Sequence, residues 1–170
     1  TPTDTSDAGG PRISHPTGFL PILRCGISTG EPGALIIPAR MVIDSGSETT
    51  LVTRGLADKA GLQCSPPELQ YIRGVSGHRV TMDISYARYT LHSLVDDHTF
   101  SLYSRVVPAV AGDLAGGLVG LEDIPGHETL RLTEPFPLAP GAVDILLGQD
   151  YLIEILGKGP KRVGKTKLIL

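Results

Sequence analysis

The stretch Met41-Val42-Ile43-Asp44-Ser45-Gly46-Ser47-Glu48-Thr49-Thr50-Leu51-Val52 decides how this chain is read. An apolar, strand-forming run stops at a carboxylate. A short polar turn follows, and a second apolar run begins. Asp-Ser-Gly on its own is a common turn sequence, because Asp and Ser bond nearby backbone and Gly accepts tight turns. The flanks give it chemical interest. A carboxylate at the end of a buried strand, held by a hydroxyl and a glycine, suits general acid–base work. Burial raises its pKa, and the turn presents it to a cleft.

Downstream, Val143-Asp144-Ile145-Leu146-Leu147-Gly148-Gln149-Asp150-Tyr151-Leu152 reads as a short buried strand running straight into a helix. Tyr151, Leu152, Ile155 and Leu156 share one helical face, and Gly157 stops it. Between these two segments lies Tyr71-Ile72-Arg73-Gly74-Val75-Ser76-Gly77-His78. Two glycines flanking Val-Ser, with strand-like sequence on both sides, predict a mobile hairpin tip. The region from Leu69 to Val110 reads as a run of hairpins, with turns at Gly74 to Gly77 and at Asp96-Asp97.

Upstream, the segments at 19–28 and 34–44 predict the first two strands, with Pro38 marking a bulge or an edge position. Thr53 to Gly61 predicts a short helix, capped by Thr53 and ended by Gly61. Residues 1–18 are polar, rich in Pro and Gly and without periodicity, and read as a flexible arm or linker. The chain opens Thr1-Pro2-Thr3 without an initiator Met, which reads as a piece cut from something larger. Residues 111–141 read as a long irregular excursion, and Leu168-Ile169-Leu170 as a terminal strand.

Length and composition bound the rest. A chain of 170 residues predicts one domain, spanning 19–170 after the arm. With 21 glycines and 14 prolines, long helices do not fit, so the fold class is mainly β with two short helices. A formal net charge of −3 argues against a nonspecific nucleic-acid binder. No apolar run is long enough for a membrane-spanning helix. Cys25 and Cys64 form no C-x-x-C pair, so no zinc site is indicated, and two buried free thiols are expected rather than one disulfide.

The three segments, in this order, resemble the retropepsin-like aspartic peptidases, and among these the peptidase of BEL/Pao-type LTR retrotransposons. The stretches at 44–52, 56–62 and 143–152 carry the resemblance, which covers about residues 19–170. It implies a closed β-barrel lobe with a flap hairpin, functional as a two-fold homodimer, since each chain supplies one Asp-Thr/Ser-Gly. The sequence agrees with this, because it holds one such tripeptide where a pepsin-like monomer needs two.

The resemblance also implies roles. Two Asp44 carboxylates would share a proton, one acting as base and one as acid, to drive water onto a peptide carbonyl. No metal, other cofactor or covalent intermediate is required. Ser45 would bond across the dimer axis, and Gly46 would permit the turn and offer its carbonyl to substrate. Ser47 and Glu48 would line the cleft floor. Gly74, Val75, Ser76 and Gly77 would form the flap tip. Leu146 and Leu147 would form cleft wall and core. The substrate would be a peptide within a retroelement polyprotein, cleaved in the cytoplasm or a virus-like particle.

This sequence departs from the pattern at Ser45, where Thr is commoner. It departs again at Glu48 and Gln149, where many viral relatives carry an Asp and an Arg as an ion pair. Here the pair would be a Glu48–Gln149 hydrogen bond.

An alternative in another class is an inactive or domesticated domain of the same fold, serving dimerisation or peptide binding. Loss of the Asp or of the flap glycines would favour it, and neither is lost. The segment at 74–77 is not a nucleophile elbow. His92 and His98, around Asp96 and Asp97, read as a polar hairpin turn more readily than as metal ligands. The basic run Lys158, Lys161, Arg162, Lys165 and Lys167 reads as a solvated surface more readily than as an RNA contact.

Overall fold

The computed structural model describes residues 21–73, 79–111 and 141–156. The expected arm, flap tip 74–77, nearly all of the excursion at 111–141 and the terminal strand lie outside the described residues.

The expected mainly-β lobe is the architecture observed. Strand β1 (Ile22–Ser28) pairs antiparallel with β2 (Ile37–Ile43), from Ile22 opposite Val42 to Ile27 opposite Ile37. Pro38 sits opposite Gly26 and no bulge interrupts the register. Strand β7 (Ile145–Leu147) covers only Met41 to Ile43 on the far side of β2. Among the described residues no strand pairs with Pro38 on that side, so its missing N–H costs no ladder bond there.

After β2 come β3 (Leu51–Thr53), helix α1 (Arg54–Lys59), β4 (Glu68–Arg73), β5 (Arg79–His92) and β6 (Thr99–Val107). The final helix α2 (Gln149–Leu156) follows β7. The strands run in the order β1-β2-β7-β3-β6-β5-β4, and β1 also pairs with β5, which closes the ring. Closure leaves β4 outside. Among the described residues it pairs only with the first half of β5, as an antiparallel ribbon from Glu68–Ile84 to Arg73–Arg79.

The crossing that matters is at β7. It lies parallel to β2 on one side and antiparallel to β3 on the other, with Leu146 opposite both Val42 and Leu51. The chain between β2 and β3, which carries Asp44, must therefore loop over the end of β7. Three apolar residues suit this central position because both faces are covered. Ile145 and Leu147 are fully buried in the main core with Val52, Leu102 and Val106. Leu146 packs on the opposite face against Ile22, Val42 and Val143. Each fully buried aliphatic side chain of this kind is worth about 1.5–3 kcal/mol.

Helix α1 begins where expected. Thr53 Oγ1 accepts from Leu56 N–H at 3.3 Å, and Gly61 ends the segment at φ +65°. Leu56 and Ala57 face the core. Helix α2 buries Leu152, half-buries Tyr151 and Ile155, and leaves Leu156 and Ile153 exposed. Leu156 thus departs from the apolar face expected of it. Both cysteines are free, with Cys25 buried and Cys64 half-buried. Among the described residues, no helix is long and apolar enough to cross a membrane.

Candidate active site

Asp44 follows the last residue of β2, at the point where the chain leaves the sheet. Its backbone N–H still donates to Leu147 C=O at 3.0 Å, so the start of the loop is pinned to β7. The side chain then turns back on its own loop, and Asp44 Oδ1 accepts from Gly46 N–H at 2.9 Å. Asp44 C=O accepts from Ser47 N–H at 3.2 Å, which closes the turn. Asp44 is half-buried in the single chain, less than the burial expected of it, and Ser45 and Gly46 beside it are exposed.

Gly46 lies in the turn that Ser47 N–H closes on Asp44 C=O, without positive φ. Positive φ among the described residues occurs at Gly30, Gly33 and Gly61, not at Gly46. A Cβ at Gly46 would instead stand 3.2 Å from Asp44 Oδ1, against the carboxylate itself. The requirement is close approach, not backbone freedom.

The far side of the loop is fastened to the segment after β7. Gln149 N–H donates to Ser47 C=O at 2.8 Å, and Gln149 Nε2 donates to Ser45 C=O at 2.8 Å. Thr50, fully buried, donates from its N–H and its hydroxyl to the two oxygens of Asp150, at 2.9 and 2.7 Å. The same hydroxyl accepts from Gly148 N–H at 3.0 Å. Two of these bonds use the N–H groups of Gly148 and Gln149 at the start of α2, which have no partners inside the helix. The helix start and the Asp44 loop therefore complete each other.

The expected Glu48–Gln149 hydrogen bond is not formed. The Gln149 amide is turned onto the Ser45 carbonyl, and Glu48 stands exposed. Ser47, half-buried, bonds through its hydroxyl to Thr49 C=O at 2.8 Å. The expected flap-tip residues Gly74, Val75, Ser76 and Gly77 lie outside the described residues, and β4 and β5 lead into that point.

Two buttresses were not read from the sequence. One is the Thr50–Asp150 pair. The other is Asp144, whose Oδ2 accepts from Arg40 N–H at 3.1 Å while its backbone ties to Arg40 and Thr53. Both are carboxylates flanking β7: Asp150 clasps the end of the Asp44 loop, whereas Asp144 fastens the other end of β7 to β2 and β3, and each contact joins residues about a hundred positions apart.

His92 is a strand residue bonded to Ser28 Oγ at 2.8 Å, and His98 lies beside Asp96 at 3.1 Å in the 93–98 turn. Among the described residues, no group of three or more His, Cys, Asp or Glu is arranged to hold a metal ion.

No protein-family model matches the chain, and no curated protein matches it. Among solved structures, the EIAV protease complexed with the inhibitor HBY-793 is similar over 89% of this chain and 97% of that chain, at 13% identity and a TM-score of 0.39.

The local chemistry is thus a single carboxylate with one oxygen held by a backbone N–H, in a loop braced by β7 and the start of α2, with Ser45 and Gly46 exposed among the described residues. One such group can accept or donate a proton. A reaction that needs acid and base together needs a second proton-transferring group beside it, and this loop holds one Asp-Ser-Gly.

Proposed function

We propose that the chain is an aspartic endopeptidase of the retropepsin type, active as a homodimer in which each copy contributes Asp44. The observation that carries this reading is the setting of Asp44. It stands on a braced loop at the end of a core strand, with one oxygen fixed by Gly46 N–H and with exposed Ser45 and Gly46 beside it. Two such loops meeting on a two-fold axis would bring like carboxylates together. They could not both ionise, and the pair would hold one proton. The ionised Asp44 takes a proton from water as the water oxygen bonds to the peptide carbonyl carbon. The protonated Asp44 gives its proton to the carbonyl oxygen. The Asp44 that took the water proton then gives it to the amide nitrogen while the other, now ionised, takes a proton from a diol hydroxyl; the C–N bond breaks, the new acid and amine leave, and the pair again holds one proton.

The further roles follow the same reading. Ser45 reaches across the axis, Gly46 C=O, Ser47 and Glu48 meet the substrate backbone, and Gly74 to Gly77 close over it. The substrate is a polyprotein segment of an LTR retroelement, with the BEL/Pao type as source, processed inside the cell.

The experiment is cleavage of an unfolded protein substrate by the purified chain, with Asp44→Asn as control and sedimentation at the assay concentration. Cleavage that requires Asp44 and tracks the dimer supports the reading. Full activity in a species that remains monomeric would defeat it.

A further inference from the structure

The carbonyl of Ser45 and the N–H of Gly46 belong to one peptide group. Its oxygen accepts from Gln149 Nε2 at 2.8 Å, and its N–H donates to Asp44 Oδ1 at 2.9 Å. A planar peptide transmits orientation from one end to the other. Fixing the oxygen fixes the direction in which the N–H points. Donation onto the oxygen also polarises the group and strengthens its N–H as a donor.

We infer that Gln149 is the positioning residue of the catalytic carboxylate, acting through the Ser45–Gly46 peptide. The inference rests on the peptidase reading for its kinetic consequence, but not for its structural one.

Three features make Gln149 suited to this. Its backbone N–H is already committed to Ser47 C=O at 2.8 Å, so the residue cannot drift from the loop. Its neighbour Asp150 is held by Thr50, which fixes the start of α2. Its side chain is neutral, so the donor adds no charge beside Asp44. An Arg at this place turned toward an acidic residue 48 would leave the Ser45 carbonyl without this donor. The amide here is used on the loop itself.

Gln149 is exposed, and truncating its donor removes no buried apolar surface. The test uses Gln149→Met, of similar length without a donor, and Gln149→Lys, which restores one. In Gln149→Met, kcat should fall by roughly three- to tenfold with KM within about twofold, as expected for one neutral hydrogen bond that orients a reacting group. Gln149→Lys restores the donor but adds a charge beside Asp44, so it should recover part of that loss and not all of it. The amide proton of Gly46 should move upfield in the NMR spectrum of Gln149→Met and return toward its original position in Gln149→Lys.

A raised KM with unchanged kcat in Gln149→Met would mean that the side chain meets substrate, and would overturn the proposal. So would an unmoved Gly46 resonance. The NMR readout needs no catalysis. A shifted Gly46 resonance in a chain that cleaves nothing would defeat the peptidase reading and leave the positioning contact standing.

Discussion

Thr50 and Asp150 form a two-point clasp: the N–H and hydroxyl of Thr50 donate to the two carboxylate oxygens of Asp150 at 2.9 and 2.7 Å. The hydroxyl is also the acceptor for Gly148 N–H, which is buried. Removing it strands that donor in the interior, whereas Asp150 is exposed enough to recover water. Thr50→Val should therefore cost about 1–3 kcal/mol of stability, most of it at Gly148. Thr50→Ser keeps the hydroxyl and loses one methyl, so it should cost about 0.8 kcal/mol. Urea unfolding checks both. The midpoint should fall further in Thr50→Val, with the slope unchanged. A larger loss in Thr50→Ser would show that packing, not the hydroxyl, governs the position.

Gly148→Ala tests how closely the two halves of the site approach. A Cβ at Gly148 would lie 2.6 Å from both the carbonyl carbon and oxygen of Thr49 and 2.9 Å from its nitrogen. These are backbone atoms, with no side chain to swing aside. Thr49 must move, and the Asp44 loop moves with it. The cost in stability should be about 1–3 kcal/mol. Activity should fall further, because a displacement near 1 Å of a reacting group is worth about 100-fold. Parallel measurement of unfolding and cleavage checks this. Equal proportional losses would show that the displacement does not reach Asp44.

Much of the fold was legible because its signals are local. Thr53 and Gly61 mark their helix by side-chain capping and a left-handed stop, and both are found in those roles. The apolar run ending at Leu147 announced a strand buried on both faces, and the split of its side chains between two clusters is what that run encodes. The carboxylate at the strand end was legible for the same reason. What was not legible depends on contact between distant segments. Asp150 reads as an ordinary acidic residue in a first helical turn, and only the threading of β7 between β2 and β3 brings it to Thr50. Gln149 and Glu48 were paired by analogy with an ion pair. The amide instead meets the Ser45 carbonyl, an acceptor that the loop turn already holds in place, and Glu48 is left exposed to water.

Asp44→Asn separates chemistry from architecture. The asparagine oxygen can still accept from Gly46 N–H, and the backbone bond to Leu147 is untouched. Stability should change by less than about 0.5 kcal/mol, as for a substitution that breaks no buried bond. Cleavage should fall at least about 100-fold, because an amide can neither take a proton from water nor hold one for the carbonyl. Circular dichroism and a peptide-cleavage assay measure the two effects. Residual cleavage of a tenth of the wild-type rate would remove Asp44 from the mechanism.

The last expectation concerns alkali. Cys25 is 3% exposed and its thiol faces Ala39 C=O at 3.7 Å. Burial, with a smaller contribution from the charge of Asp144, pushes its pKa from 9.0 up to about 12. Burial also raises Tyr89 in the same core, partly offset by the hydroxyl of Ser104. In the folded chain Cys25 keeps its proton above pH 9, while in the unfolded chain it releases it. The folded state then binds more protons, so stability falls as pH rises from about 9 toward about 12, and is unaffected by this group below that window. Cys25→Ala should be less stable at neutral pH, because it leaves a cavity. It should also lose stability less steeply above pH 9, with the remaining slope coming from other buried groups such as Tyr89. Denaturant unfolding at a series of pH values measures the slope. Identical slopes in the two proteins would mean that the thiol ionises without unfolding. Alkylation gives an independent reading: half-buried Cys64 should be modified first, and Cys25 only at the rate at which the barrel opens.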